Sequence, residues 1–281
     1  MVLFGVESDQ TPFVVHERET LVFVFKPHNM HTAPLSAQAE GTLLEWVAAR
    51  FPEIRSVGGI KPVEPGLLHR LDHGTAGIVV FARTRTAFDR VRDAAESGRF
   101  VKEYRAFCER SSAPVPGTRG EISPDTRKGS SDAARGVHGE AYAGLPSTPF
   151  TVRSRFRAYG PAGRQVAPVA LDVPVRRDTT RATYQTDVLA IERVPPNAYP
   201  GRPEETREAF AFRCSLARGF RHQVRVHLAA LGFPILGDPL YGTRVRENDP
   251  LRLYAVAVTL PDPATGATIR IECESEQRYL R

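Results

Sequence analysis

Cysteine is scarce in this chain: Cys108, Cys214 and Cys273 are the three in 281 residues, far apart and with no Cys-x-x-Cys pair. That spacing offers neither a disulfide framework nor a zinc ribbon, and it points to a reducing compartment. Long apolar runs are missing as well. No segment approaches the length of a membrane span, and the start Met1-Val2-Leu3-Phe4-Gly5-Val6-Glu7 lacks a basic opening and a sustained apolar stretch. The expectation is a cytoplasmic protein without membrane contact. Internal repeats do not stand out. Lysine is nearly absent, with Lys26, Lys61, Lys102 and Lys128 the only ones among 38 lysines and arginines. The net charge of +6 and the pI near 9.5 therefore rest on arginine and favour a polyanionic partner. The surplus of Arg, Ala and Pro reflects genomic base composition as readily as a demand for phosphate contacts. Arginine clusters at 83–110, 153–181 and 213–225 nevertheless give tracks for a nucleic-acid backbone.

What the chain does have is concentrated in two stretches. The first is Leu68-His69-Arg70-Leu71-Asp72-His73-Gly74-Thr75-Ala76-Gly77, followed by the apolar run Ile78 to Ala82. A carboxylate set between Leu68-Leu71 and a buried strand is costly unless it is paired. One reading makes Asp72 a turn residue that bonds backbone N–H groups, the other a catalytic carboxylate.

The second stretch runs from Gly219 to Gly232 and reads as a helix that opens after one glycine and closes at another, with Pro234 beyond. On such a helix Arg221 and Arg225 share a face. Like charges four apart repel unless an anion lies between them, so the pair is either a solvated basic face or part of an anion site. His222, Gln223 and His227 surround it with polar groups.

These residues resemble those of the RluA-type pseudouridine synthases. The hallmark His-Arg-Leu-Asp is matched by His69 to Asp72, the Thr-Ser-Gly-like turn by Thr75-Ala76-Gly77, and the Phe-Ala-Lys strand by Phe81-Ala82-Arg83. Lys26-Pro27, the run Lys102-Glu103-Tyr104-Arg105-Ala106, His222-Gln223-Val224-Arg225 and Gly232 to Gly242 follow in the family's order. There are departures. Gly219-Phe220-Arg221 stands where the pattern has Gly-Arg-Thr or Gly-Arg-Ser, Ala76 replaces a serine, and Tyr254 stands where histidine is frequent. They bear on substrate choice more than on chemistry.

The resemblance implies an RNA-modifying isomerase that turns uridine into pseudouridine, in ribosomal or transfer RNA, without cofactor or metal. That reaction breaks the bond from ribose to N1, turns the uracil and rejoins it through C5, so it needs no redox step and no energy source. Asp72 is then the essential carboxylate, attacking the nucleoside or deprotonating the sugar. Arg225 pairs with it and keeps it oriented. Tyr104 stacks on the uracil and handles the C5 proton, its plain alternative being an ordinary strand tyrosine. Arg70 takes the space of the flipped-out base, or else bonds carbonyls around the turn. His69, Thr75, Lys102, Arg221, His222 and Gln223 complete the expected substrate-binding set.

The expected fold is α+β: a mainly antiparallel mixed sheet with flanking helices and a central active-site cleft. Thr42-Leu43-Leu44-Glu45 is a capping box that opens a helix through Phe51, with Leu43, Trp46, Val47 and Arg50 at helical spacing. Thr84 to Ser97 reads as a second helix with Phe88, Val91 and Ala95 inward. Strands are expected at 21–25, 77–82, 101–108, 182–192, 209–216, 253–260 and 268–272. One catalytic domain, 1–281, is read as two halves, about 1–110 and 149–281, joined by a polar stretch at 111–148 rich in Ser, Gly, Pro and charge. That stretch is expected to be mobile; it is either a tolerated insertion or an RNA clamp through Arg119, Arg127, Lys128 and Arg135. No separate RNA-binding module is expected ahead of the first strand, and a monomer without an obligate protein partner is the default. Two rivals stand beside this reading. A metal-dependent hydrolase could draw on His69, Asp72, His73, His222 and His227, although His222 and His227 are turned away from one helix face and no His-Glu-x-x-His motif occurs. The other rival is an RNA-binding protein of the same fold that has lost the chemistry.

Overall fold

The computed structural model describes residues 11–34, 40–125, 145–194, 208–242 and 249–273. Along these the chain forms β1 (Phe13–Glu17), β2 (Leu21–Lys26), α1 (Leu43–Arg50), β3 (Ala76–Ala82), α2 (Arg85–Glu96), β4 (Val101–Glu109), β5 (Pro124–Asp125), β6 (Phe150–Tyr159), β7 (Gln165–Val169), β8 (Tyr184–Val194), β9 (Ala209–Leu216), α3 (Gln223–Ala230), β10 (Leu253–Pro261) and β11 (Thr268–Glu272). Strands outnumber helices among the described residues and pair mainly antiparallel, which is the expected α+β class. Two compact units result, one of residues 1–103 with 253–281 and one of residues 104–252, and the boundary falls inside β4. The sequence reading divided the chain near 110. In the structure the C-terminal strands return to the first unit, because β10 finds its partner in β3.

In the first unit β1, β2, β3, β10 and β11 lie side by side, antiparallel except for the parallel β3–β10 pair. Every residue of β2 and β3 is buried, so both faces of these central strands are covered, and fully burying each large apolar side chain contributes roughly 1.5–3 kcal/mol. Thr42 and Glu45 close the expected capping box at the start of α1, each side chain bonding the other's backbone N–H at 3.3 and 3.0 Å. Trp46 is not on the inner face. Leu44 and Ala48 are buried instead, and Trp46 lies under the Arg50 guanidinium, 3.6 Å from its ring centre. Thr84 caps α2, whose Ala87, Phe88, Val91 and Ala94 are buried; the inner face thus takes Ala94 where the spacing suggested Ala95.

Residues 66–69 run back along β3, with Ala82 N–H donating to Gly66 at 2.8 Å and Leu68 N–H to Val80 at 3.2 Å. The chain then leaves the sheet, turns through residues 70–75, and re-enters as β3. Gly77 sits at φ +127° opposite Ala255, and a Cβ there would lie 2.3 Å from the Ala255 carbonyl oxygen. Only glycine lets β10 come that close.

The second unit orders β9, β8, β6 and β5 side by side, and β7 also pairs with β6. The sequence reading missed β5, β6 and β7 here, and β1 in the first unit. Along β6, Val152, Ser154 and Phe156 are buried while Arg153, Arg155 and Arg157 are more exposed, so the arginines read as an RNA track are one side of a period-two strand. They have partners: Arg153 bonds Gln185 and Asp125, Arg155 bonds the Leu171 and Val173 carbonyls, and Arg157 bonds the Gly117 carbonyl. Residues 111–125, the first part of the stretch read as mobile, are held: Val115 and Ile122 are buried, and Arg119 makes a bidentate pair with Asp178 at 3.0 and 2.9 Å. Arg127, Lys128 and Arg135 lie outside the described residues. Val226 and Ala229 of α3 pack with Phe156, Val166 and Tyr241 in the core of this unit.

Gly77→Ala combines a forbidden backbone angle with a collision against fixed backbone. It is expected to lower stability by at least about 1–3 kcal/mol in urea unfolding, and a loss within experimental error would contradict the close β3–β10 approach.

Candidate active site

Asp72 heads the turn between residues 66–69 and β3. Its carbonyl accepts the Thr75 N–H at 3.0 Å, its side chain is part-exposed, and Thr75 is buried beneath it. The segment after β2 supports this turn at two points. Thr32 Oγ1 donates to the Leu71 carbonyl at 2.8 Å and accepts the Leu71 N–H at 3.2 Å, while His28 Nδ1 bonds the Gly74 carbonyl at 2.7 Å. Below lies Lys26, the last residue of β2, with none of its surface exposed. Its Nζ donates to the carbonyls of Pro27 (2.9 Å), Met30 (2.8 Å) and His73 (3.1 Å). Burial pushes Lys26 down to about 7, and the Asp72 charge pulls it partly back. The sequence reading gave Lys26 no role; a lysine closing an otherwise apolar strand was the available signal.

Around this centre the predicted residues take distinct places. His69 is a structural neighbour of β3: its Nε2 accepts the Val80 N–H at 3.2 Å and its ring meets Phe100 edge-on. Burial, with Lys102 nearby, drives its pKa down to about 3, and Nδ1 is sealed without a hydrogen-bond partner. Lys102 is buried over the Phe100 ring, its pKa lowered by burial to about 8. Arg70 does not bond carbonyls around the turn. Its Nη1 bonds Glu64 at 2.6 Å, with the arginine side chain 40% exposed and the glutamate 5%. His73 is exposed beside His31, ring centres 4.4 Å apart, and burial, His31 and Lys26 together keep its pKa below the ordinary value.

Tyr104 and Arg225 belong to the second unit. Tyr104 is buried in β4, and the later part of that strand is bonded by the chain returning from α3: Leu236 N–H donates to the Phe107 carbonyl and Glu109 N–H to the Pro234 carbonyl. This return carries Asp238 to Arg225. Asp238 accepts Arg225 Nε and Nη2 at 2.8 and 2.7 Å and the N–H groups of Leu240 and Tyr241 at 2.9 and 3.2 Å. The pair is buried and saturated with hydrogen bonds, which is what a buried ion pair needs in order to be tolerated.

α3 begins later than the sequence suggested. His222 sits at φ +58° ahead of Gln223, so Arg221 is outside the helix and does not share a face with Arg225. The left-handed residue breaks the register there; at the other end the helix stops before Gly232 as expected. Arg221 instead bonds the Gly163 and Gln165 carbonyls. His222 Nδ1 meets the Tyr241 hydroxyl at 3.0 Å. Gln223 is buried, its amide donating to the Gln185 carbonyl and Thr186 Oγ1 and accepting the Phe220 N–H. His227 uses both ring nitrogens on Ser154 and Thr186, and burial drops its pKa to about 3. A metal reading that counts His227 as a ligand therefore loses it, and among the described residues no three His, Cys, Asp or Glu side chains gather as a metal site requires. Cys108 and Cys214 are buried thiols, the latter pushed to about 12, which suits packing rather than nucleophilic attack.

The departures from the family pattern fall into two places. Ala76 and Tyr254 are partners across the β3–β10 pair, and Tyr254 meets His28 edge-on at 5.1 Å. Phe220 lies flat on Phe156 at 4.8 Å and against Tyr184. Each departure is absorbed by local packing.

Fold and turn together define an α+β protein that presents a part-exposed carboxylate close to a buried lysine. A model of the RNA pseudouridylate synthase family matches residues 20–230, and the chain belongs to that family. It is 27% identical over 251 residues to an RNA pseudouridine synthase of Chloroflexus aurantiacus, an alignment covering 86% of this chain and 58% of that protein. It is 24% identical to ribosomal large subunit pseudouridine synthase D of Vibrio parahaemolyticus, covering 92% of this chain and 66% of the relative. It thus spans about three fifths to two thirds of the length of these relatives. Among solved structures, human RNA pseudouridylate synthase domain containing 1 matches with a TM-score of 0.60 at 18% identity, over 95% of this chain and 85% of the human one.

Two outcomes are expected. Asp238→Ala strands the buried Arg225 charge and should cost about 3–5 kcal/mol in denaturant unfolding; a loss below about 1 kcal/mol would contradict the pairing. His69 and His227 stay neutral in the folded chain down to about pH 3 but take up protons near 6.5 when unfolded, so the unfolded state binds more protons in between. Stability should be fully present above about pH 6.5 and fall as the pH drops towards 3; His227→Gln should flatten that slope, and an unchanged slope would count against the buried neutral ring.

Proposed function

We propose that the chain is an RNA pseudouridine synthase that isomerises uridine in RNA through Asp72. Ribosomal RNA is the first substrate class to test, because relatives are named for the large ribosomal subunit, and transfer RNA the second. The observation that carries the reading is the Asp72 turn, a carboxylate presented at a strand entrance above a sealed lysine, within the family's own motif. In this reading Asp72 is the essential carboxylate, with Tyr104 and Arg225 in the catalytic roles that the family resemblance gives them. Asp238 takes the Nε–Nη2 edge of Arg225 and holds the guanidinium in one orientation. A guanidinium held in this way needs no reorganisation when the carboxylate reacts.

The target uridine leaves its stack at a cost of a few kcal/mol, repaid by contacts in the pocket. Arg70, steadied by Glu64, fills the space that the base vacates. Asp72 attacks the nucleoside or removes a sugar proton, and either path frees uracil from C1′. The ring turns with its face on Tyr104 and C5 bonds to C1′, displacing Asp72 on the first path or followed by return of the proton to the sugar on the second. The C5 proton departs with the Tyr104 hydroxyl as relay, and N1 takes up a proton. Atoms and electrons balance within the nucleotide, so no cofactor is called for. The chain acts as a cytoplasmic monomer in this reading.

Incubating RNA tritiated at uridine C5 with wild type should release tritium in the presence of chelator, while Asp72→Asn releases none yet binds the RNA. Release by Asp72→Asn at the wild-type rate would overturn the mechanism. Binding without release by wild type would leave an RNA-binding protein without chemistry.

A further inference from the structure

Tyr184 of β8 and Phe220, just ahead of α3, keep part of their surface in solvent while packing on the core of the second unit. Phe220 lies flat on Phe156 with the ring planes 3° apart, and Tyr184 leans on Phe220 and Phe156 at 4.9 and 5.6 Å. Phe156 is fully buried, so it is the floor of the group and the other two rings are its outer surface. Arg218 stands over Tyr184, its guanidinium carbon 5.3 Å from the ring centre. Among the described residues that exposed guanidinium has no carboxylate or carbonyl to bond. Other arginines of the unit are tied down: Arg119 by Asp178, Arg153 by Asp125 and Arg221 by two carbonyls. One buried amide fixes the arrangement. Gln223 accepts the Phe220 N–H at 2.9 Å and donates to the Gln185 carbonyl at 2.7 Å and to Thr186 Oγ1 at 3.0 Å, on the two residues that follow Tyr184.

A flat apolar surface with an unbonded cation on it suits a partner that is planar and carries negative charge. The run Leu216 to Gln223 adds a second arginine and a histidine and holds no carboxylate. A nucleobase with its phosphate combines the two properties, and bases stack on aromatic rings and on guanidinium planes alike. Inside a duplex both faces of a base are covered, so the ligand is an unpaired one. We propose that Tyr184, Phe220 and Arg218 form a stacking subsite for one unpaired base of the RNA substrate, other than the uridine that reacts. This subsite deepens the functional reading above, on which it rests, by naming what the substrate must offer besides that uridine. Phe220 stands where the family pattern has arginine, which makes the subsite this chain's own means of choosing among RNAs. Because Gln223 holds the rings before RNA arrives, little ordering is needed on binding.

The test compares the binding of two fluorescent oligomers of about ten nucleotides at low salt, oligoadenylate and a ribose-phosphate chain without bases. They carry the same charge, so the ratio of their affinities reports the bases alone. Wild type should bind oligoadenylate roughly 10-fold more tightly. Tyr184→Leu and Phe220→Leu should bring that ratio near one and leave the baseless chain bound as before, with the fold retained in thermal unfolding. Arg218→Gln should lower the ratio too. A wild-type ratio near one overturns the subsite, and so does a wild-type ratio kept by the folded variants. If the aromatic variants do not fold, the exposed Arg218 decides: an Arg218→Gln chain that binds both oligomers equally more weakly marks a phosphate contact only and overturns the stacking role. Tritium release is followed with the same preparations. No release by wild type overturns the functional reading whatever the ratio, whereas release with a ratio near one overturns the subsite alone.

Discussion

An ammonium with no access to water must find an acceptor for each of its N–H bonds, and Lys26 finds them in the carbonyls of Pro27, Met30 and His73. The first unit is organised around that requirement. β2 delivers the lysine, the segment after β2 curls back to offer two of the carbonyls, and the Asp72 turn offers the third. Thr32 and His28 tie the same segment to Leu71 and Gly74, so the turn is held from below along its length. The parallel approach of β10 to β3, which needs Gly77, closes the sheet beside it. The Asp72 carboxylate thus occupies a short loop whose backbone is tied down at Leu71, His73 and Gly74.

The second unit solves the same problem, a buried cation, with a carboxylate in place of carbonyls. Arg225 is buried in α3, and the chain doubles back after Gly232 along β4 so that Asp238 can meet it. The amide of Gln223 and the ring of His227 fasten the helix to Thr186, and Ser154 takes the other ring nitrogen. Gln223, expected among the substrate-binding residues, and His227, read only as a polar neighbour and a possible metal ligand, are thus means by which that helix is locked. A fully satisfied polar network fixes orientation in a way that apolar packing alone does not.

The strong local signals were legible before the structure. Thr42 and Glu45 announced α1, Thr84 announced α2, and apolar runs marked β2, β3, β9 and β10 close to their ends. What escaped depends on contacts far apart in sequence. β6 was masked because its outward residues are arginines, and arginine suggested RNA before it suggested a strand. Arg221 was placed on a helix that starts two residues later, since a left-handed histidine cannot be foreseen from helical spacing. Lys26 and Asp238 were quoted as motif residues without roles, because burial and pairing decide those roles. Asp72 falls at a turn, as the sequence suggested, and the buried lysine near it was not singled out.

The account stands on one chemical claim, that this chain converts a nitrogen-linked uracil into a carbon-linked one. The direct measurement is nucleoside analysis by mass spectrometry of ribosomal RNA from a strain lacking this gene, after incubation with the purified chain. The account predicts that uridine at defined positions gives way to a nucleoside of the same mass whose base resists cleavage from the sugar. Uridine unchanged at every position, in ribosomal and transfer RNA alike, would contradict it.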